Sequence, residues 1–291
     1  MGDATSRTGR RLAFQSEALP VNDQGAHVDP AKWNVVDGWS VGPSFLLFDD
    51  QLDLSLSGAP PITDLAKSID PASPVLLLDA ETGSKQLLWL ERDQQGPTPA
   101  ERAIIGHVGA ILENGHRYLV AMRSLKDGNG AVLPAEPVFA AYRDRTGTGQ
   151  LPVEARRSHM EGLFSELAGF GVERSDLYLA WDFTTQSSEA TSEKLLHMRD
   201  DAFAALGGAA PQFTVDTVDE PYNANIFRRI DGTFQVPLYL TMDGVPGSEL
   251  RLGPDGLPER DGEYTANFRC LIPYAATTGG AGPAVPARAT L

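Results

Sequence analysis

From Ser44 onward the chain is broken into apolar runs of four or five residues: Phe45-Leu46-Leu47-Phe48, Val75-Leu76-Leu77-Leu78, Leu87-Leu88-Trp89-Leu90 and Tyr118-Leu119-Val120-Ala121-Met122. Each has strand length and is bounded by Gly, Pro, Asp or Asn, so this stretch predicts short β-strands joined by turns. Asp79-Ala80-Glu81-Thr82-Gly83 supplies a turn between the second and third runs and predicts a hairpin there. Leu112-Glu113-Asn114-Gly115-His116-Arg117-Tyr118 reads as a tyrosine corner, in which the phenol bonds back to the backbone a few residues upstream. Asp127-Gly128-Asn129-Gly130 closes a turn into a further strand expected near Val138-Phe139-Ala140-Ala141-Tyr142. Together these signals predict an immunoglobulin-like β-sandwich over residues 44–150.

The period then changes. After the Gly- and Thr-rich stretch Arg145 to Gln150, Met160, Leu163, Phe164 and Leu167 follow the spacing of one helical face, with Gly169 and Gly171 to end it. A second helix is expected over Ser188 to Leu206, with Leu195, Met198, Ala202 and Phe203 inward and Gly207-Gly208 as the stop. Between them Asp176 to Phe183 alternates like a half-buried strand. Strands return from Gln212 to Tyr274; Phe234 to Leu240 is the clearest, and Pro237 argues for an edge or a bulge in it. The expected class is mainly β with a helical insertion (α+β): an extended lead-in over 1–43 anchored by Trp33 and Trp39, the sandwich over 44–150, a helical segment over 151–208, a second β-rich segment over 209–275 and a linker over 276–291.

Composition excludes several functions. A formal net charge of −15 repels phosphate backbones and anionic lipid, so nucleic acid is not an expected partner. The single cysteine, Cys270, rules out an internal disulfide and a cysteine zinc site, and in Phe268-Arg269-Cys270-Leu271-Ile272 it reads as a buried strand thiol. No apolar stretch approaches membrane-spanning length, and Met1 to Arg11 lacks the apolar core of a secretory signal.

Gly38-Trp39-Ser40-Val41-Gly42 matches the G-x-S-x-G pattern of a nucleophile elbow, making Ser40 the candidate nucleophile. An elbow needs a buried strand before it and a helix after it. Asn34 to Asp37 is a poor strand, and Pro43 and an extended apolar run stand where the helix should begin, so the context predicts a Trp-anchored surface turn and no catalytic residue. The five histidines are scattered without metal-ligand spacing, and no metal or cofactor is expected. Asp127 to Gly130 and Asp49-Asp50-Gln51-Leu52-Asp53 offer spaced oxygens but no complete calcium loop. Trp181, Asp182, Arg199 and Asp200 place charge among aromatics and are the candidates for a structural lock or interdomain contact.

At Gly115 to Asp127, and again at Asp176 to Thr184 and His197 to Leu206, the sequence resembles the N-terminal region of bacterial virulence-factor-type lipases and related secreted actinobacterial α/β-hydrolase-like proteins, over most of residues 29–275. The resemblance implies a β-rich region preceding an α/β-hydrolase domain that carries the oxyanion segment and the Ser, Asp and His of the triad, so no catalytic residue transfers to this chain. It also implies an extracellular or cell-surface setting, although a signal peptide is not seen here. The expected function is a noncatalytic accessory module whose partner is a hydrolase domain in cis or in trans. A free-standing esterase using Ser40 or a carboxylate pair, and an adhesion or carbohydrate-binding module presenting Trp33 and Trp39, are the alternatives.

Overall fold

A computed structural model of the chain describes residues 2–277. Those residues form an α+β structure with three small antiparallel sheets and four α-helices. The chain divides into two compact units, Met1–Thr191 and Ser192–Leu291.

The first unit holds β1 (Ser44–Leu47), α1 (Leu54–Ser57), β2 (Val75–Asp79), β3 (Leu88–Arg92), β4 (Ile104–Val108), β5 (Arg117–Arg123), α2 (Pro137–Arg143), α3 (Leu151–Gly169), β6 (Leu177–Thr184) and the start of α4 (Ser188–Leu206). Its strands make two sheets, β1-β4-β3 and β2-β5-β6. The sheets face one another across a core in which Val75, Leu77, Tyr118, Val120 and Met122 of one meet Leu88, Leu90 and Ile104 of the other. The opposite face of β2-β5-β6, through Leu76, Leu78, Leu119 and Ala121, packs on Phe139 and Tyr142 of α2 and Met160, Leu163, Phe164 and Leu167 of α3. Covered on both faces, β2 and β5 read as continuous apolar runs rather than alternating ones.

Three local expectations change. Residues near Val138 to Tyr142 form α2, not a strand: Pro137 presets the first helical turn, and Phe139 and Tyr142, three apart, bury on one helical face. The turn at Asp79 to Gly83 forms, with Gly83 donating to the Asp79 carbonyl at 2.8 Å, and closes a short antiparallel bridge at Leu78–Lys85, but the hairpin goes no further because β2 and β3 belong to different sheets. The β2-β5-β6 sheet takes its third strand from beyond residue 150, so the facing strands run from Ser44 to Thr184.

The second unit contains the rest of α4 and a meander of β7 (Phe213–Asp219), β8 (Ile226–Pro237) and β9 (Glu263–Pro273) in the order β7-β8-β9. Register sorts most of its side chains by face, with Arg228 among the apolar set and Leu271 among the charged one. One face carries Thr217, Asp231 and Arg269 in one row, with Arg269 Nε on Asp231 at 2.6 Å and Arg229 Nε on it at 3.0 Å. The other carries Phe213, Val215 and Val218 of β7, Ile230, Phe234 and Val236 of β8, and Tyr264, Ala266, Phe268, Cys270 and Ile272 of β9. Phe268 lies over Gly232, where a Cβ would come within 2.7 Å of its ring. This apolar face remains open: Phe213 is 66% exposed and Val218 53%.

Cys270 is therefore on a strand, as expected, but exposed instead of buried. Leu195 and Phe203 of α4, expected inward, are 65% and 64% exposed, and α4 buries no residue. Its attachment within the unit is polar: the Tyr239 hydroxyl donates to Asp201 at 2.5 Å, and Arg260 pairs with the same carboxylate at 2.9 Å. Pro237 ends β8, the central strand, at a position β7 does not reach, so its missing N–H leaves no gap in the β7–β8 ladder.

The Glu113 amide donates to the Tyr118 hydroxyl at 2.9 Å, closing the expected corner in a residue that is almost wholly buried. Tyr118→Phe is expected to strand that amide and cost about 1–3 kcal/mol in urea unfolding, with an unchanged m-value.

Candidate functional site

The G-x-S-x-G segment runs alongside a strand. Trp39 donates to the Thr184 carbonyl and accepts from the Gln186 amide, both at 2.8 Å, as a parallel bridge past the end of β6. Gly38 presses against that backbone: a Cβ there would come within 2.5 Å of the Thr185 carbonyl carbon. Its neighbour Asp37 is buried and accepts from the Ser187 amide at 3.0 Å. Ser40 is exposed, and its hydroxyl accepts from the Gly42 amide at 3.2 Å. No hydrogen bond from Ser40 to an imidazole occurs among the described residues. The glycine that opens the pattern, Gly38, is needed for close backbone approach, not for a strand-to-helix elbow.

A hydroxyl, an imidazole and a carboxylate do line up elsewhere. Register places Ser44 opposite His107, whose Nδ1 is 3.3 Å from the Ser44 hydroxyl and whose Nε2 is 3.0 Å from Glu91. Trp89 stacks on the ring at 4.4 Å. Sequence spacing could not reveal this, because the three residues come from three strands and meet only through register. Ser44 is in the β1–β4 ladder rather than on a taut turn that gathers amide donors for an oxyanion, so the cluster holds an imidazole without the remainder of an acyl-transfer site.

His116 is held by Asp79 at 2.8 Å on Nδ1, with Glu81 3.6 Å from Nε2. Burial opposes charge on Asp79, but hydrogen bonds from His116 and from the Glu81 and Thr82 amides outweigh it and keep the carboxyl below the usual range. The hydrogen bond to Asp79 raises His116 against a smaller desolvation, and Glu81 and Glu113 add to the rise.

Asp182 of β6 is held from two other elements. Arg117 Nε donates to one oxygen at 2.7 Å and His159 Nε2 lies 2.6 Å from the other. The Arg117 guanidinium also forks onto Glu166 of α3 at 2.7 and 2.9 Å, tying the helix to β5 and β6. Burial pushes Asp182 up, yet the Arg117 and His159 bonds hold it low and ionised. Arg199 pairs with its chain neighbour Asp200 at 2.6 Å, and Trp181 meets Phe45 edge-on at 5.2 Å beside the core between the two facing sheets.

Two clefts adjoin Asp182. One, about 350 Å³, is walled by Arg10, Arg11, Trp39, Arg156 and His159; the other, about 290 Å³, by Trp39, Pro43, Phe45, Trp181 and Phe183. Trp39 is set between them by an edge contact with Phe14 at 5.5 Å. Trp33, the other lead-in tryptophan, is exposed.

The acidic loops serve the backbone. Asp127 accepts from the Asn129 and Ala131 amides, Asp53 caps α1 through Leu56 N, and Asp49 takes the Tyr178 hydroxyl at 2.6 Å. Among the described residues no group of three His, Cys, Asp or Glu could hold a metal ion. Comparison with known proteins gives no match to a family model, a curated protein or a solved structure.

Gly38→Ala is expected to cost at least about 2 kcal/mol in urea unfolding, while Ser40→Ala stays within about 0.5 kcal/mol. A tolerated Gly38→Ala would contradict the close approach to Thr185. The Asp79–His116 pair gives a pH signature. A raised imidazole contributes stability fully below its unfolded value, near 6.5, and loses it as pH rises through the folded value; a lowered carboxyl contributes above about 3.9 and loses it in acid. The stability lost in His116→Gln should therefore be largest between about pH 4 and 6.5 and shrink toward pH 9. Urea midpoints across that range measure it, and a pH-independent loss would refute the assignment.

Proposed function

We propose that this chain is the noncatalytic N-terminal module of a secreted bacterial lipase or esterase, supporting or orienting an α/β-hydrolase domain in the same polypeptide or in trans. The observation that carries the reading is the open apolar face of β7-β8-β9, with Phe213, Val218 and Tyr264 exposed together on one side of a sheet whose other side is a charged network. Contiguous apolar surface of this kind marks a protein contact, and the aromatic and aliphatic residues on it have the character of an obligate interface core. Ser40 without an imidazole, and Ser44 without an elbow, fit a module whose chemistry lies in another domain. Arg199 and Asp200, exposed on α4, are assigned to the rim of that contact, whereas Trp181 and Asp182 act within the first unit.

The two facing sheets of that unit we read as an immunoglobulin-like sandwich. The strand orders β1-β4-β3 and β2-β5-β6, the Glu113–Tyr118 corner and the parallel Trp39–Thr185 bridge support it, with α2 and α3 inserted before the last strand.

The purified chain is expected to leave p-nitrophenyl butyrate at its buffer rate, unchanged by Ser40→Ala or Ser44→Ala. The reading frame beyond the Leu291 codon, or a gene beside it, should encode a domain with an oxyanion-type His-Gly segment and a strand-turn-helix G-x-S-x-G. That domain should form a complex with the chain in sedimentation, and Val218→Asp should abolish it. Hydrolysis lost on either serine substitution, or a hydrolase domain that ignores Val218→Asp, overturns the proposal.

A further inference from the structure

We propose that the first unit binds an amphipathic monoanion, an acyl or aryl body ending in one carboxylate, across the two clefts that meet at Trp39. Both clefts count Trp39, Asp182 and Phe183 in their walls, so a single small molecule can lie across both. Their chemistry is opposite. One side presents Arg10, Arg156 and His159; the other presents Pro43, Phe45, Leu46 and Trp181. Volumes of about 350 and 290 Å³ suit a small ligand held in a shallow site.

Electrostatics decide the sign of the head group. In a chain of net charge −15, Arg10 and Arg156 have no carboxylate partner among the described residues. The nearby acids are already spent: Asp182 is held by Arg117 and His159, Asp3 by Arg11, and Asp37 is buried on the Ser187 amide. What remains unneutralised at the cleft is cationic, and guanidinium forks select carboxylates. The apolar end follows from Trp39, exposed at the surface yet braced by Phe14, beside the Phe45–Trp181 pair. The inference rests on the first unit alone, so it stands or falls independently of the hydrolase partnership.

Isothermal titration calorimetry of the full chain with sodium octanoate is expected to give one site per chain. Acetate and 1-octanol should bind at least tenfold more weakly, since each keeps only one end of the ligand. The double variant Arg10→Ala/Arg156→Ala should weaken octanoate at least tenfold and leave octanol unchanged; neither arginine side chain bonds within the described fold, and thermal melts by circular dichroism confirm that the variant folds. Trp39→Ala should weaken both. Substituting 2-naphthoate for octanoate tells an aryl from an acyl body, and tighter binding of either than of acetate supports the site. Equal binding of octanoate and octanol, undiminished octanoate binding by the double variant, or no heat from either carboxylate at millimolar concentration overturns it.

Discussion

The first unit depends on β5 being covered from both sides. Tyr118, Val120 and Met122 enter the core between the sheets, while Leu119 and Ala121 enter the core beneath α2 and α3. A strand with no solvent face cannot slip by one residue, because the slip would exchange the two side-chain sets between cores of different shape. Arg117, at the head of the same strand, adds a polar lock: it spans Asp182 of β6 and Glu166 of α3. Three elements that meet in space are thereby referred to one strand, and the cleft residues Asp182 and His159 inherit their positions from it.

The second unit is built on the opposite principle. Its sheet is longer than the other two and keeps most apolar side chains on one face, yet that face is open and α4 buries nothing. Hydrogen bonding across eleven residues of β8 and β9 maintains the ladder, and the Arg229–Asp231–Arg269 cluster organises the polar side. Neither supplies the apolar burial that dominates folding energetics. Backbone hydrogen bonds and ion pairs, more than a core, hold this sheet in order.

Much of this was legible before coordinates. The runs at 75–78 and 118–122, the corner at Tyr118, the α3 face and the limits of α4 follow from periods and caps, which are local properties. What failed was global. An apolar stripe on a helix says that something should cover it, and Leu195 and Phe203 read as core on that ground alone; the period does not say that the cover belongs to this chain. Val138 to Tyr142 reads as a strand because a run of five apolar residues has no period to distinguish it from a helix; the signal for the helix is Pro137 at its first position. Cys270 shows the same limit, since an alternating strand has an apolar face whether or not that face is buried.

The candidate site was legible only in pieces, for a reason the fold makes plain. Ser44 lies on an extended ladder, where the backbone is straight and its amides are committed to neighbouring strands, and Ser40 follows the Trp39–Thr185 bridge with its hydroxyl on the Gly42 amide, so neither stands at a strand-to-helix turn. Concavity arises instead where an irregular segment is laid against regular structure. The polar lead-in does this: Thr8 and Leu12 bond to the carbonyls of Asp37 and Val36, and the residues between them, Arg10 and Arg11, form one wall of the cleft whose other wall is β6 and α3. Nothing in the lead-in's composition distinguishes a wall from a tether. Only the backbone bonds to residues 36 and 37, some 25 positions downstream, make its arginines part of a site.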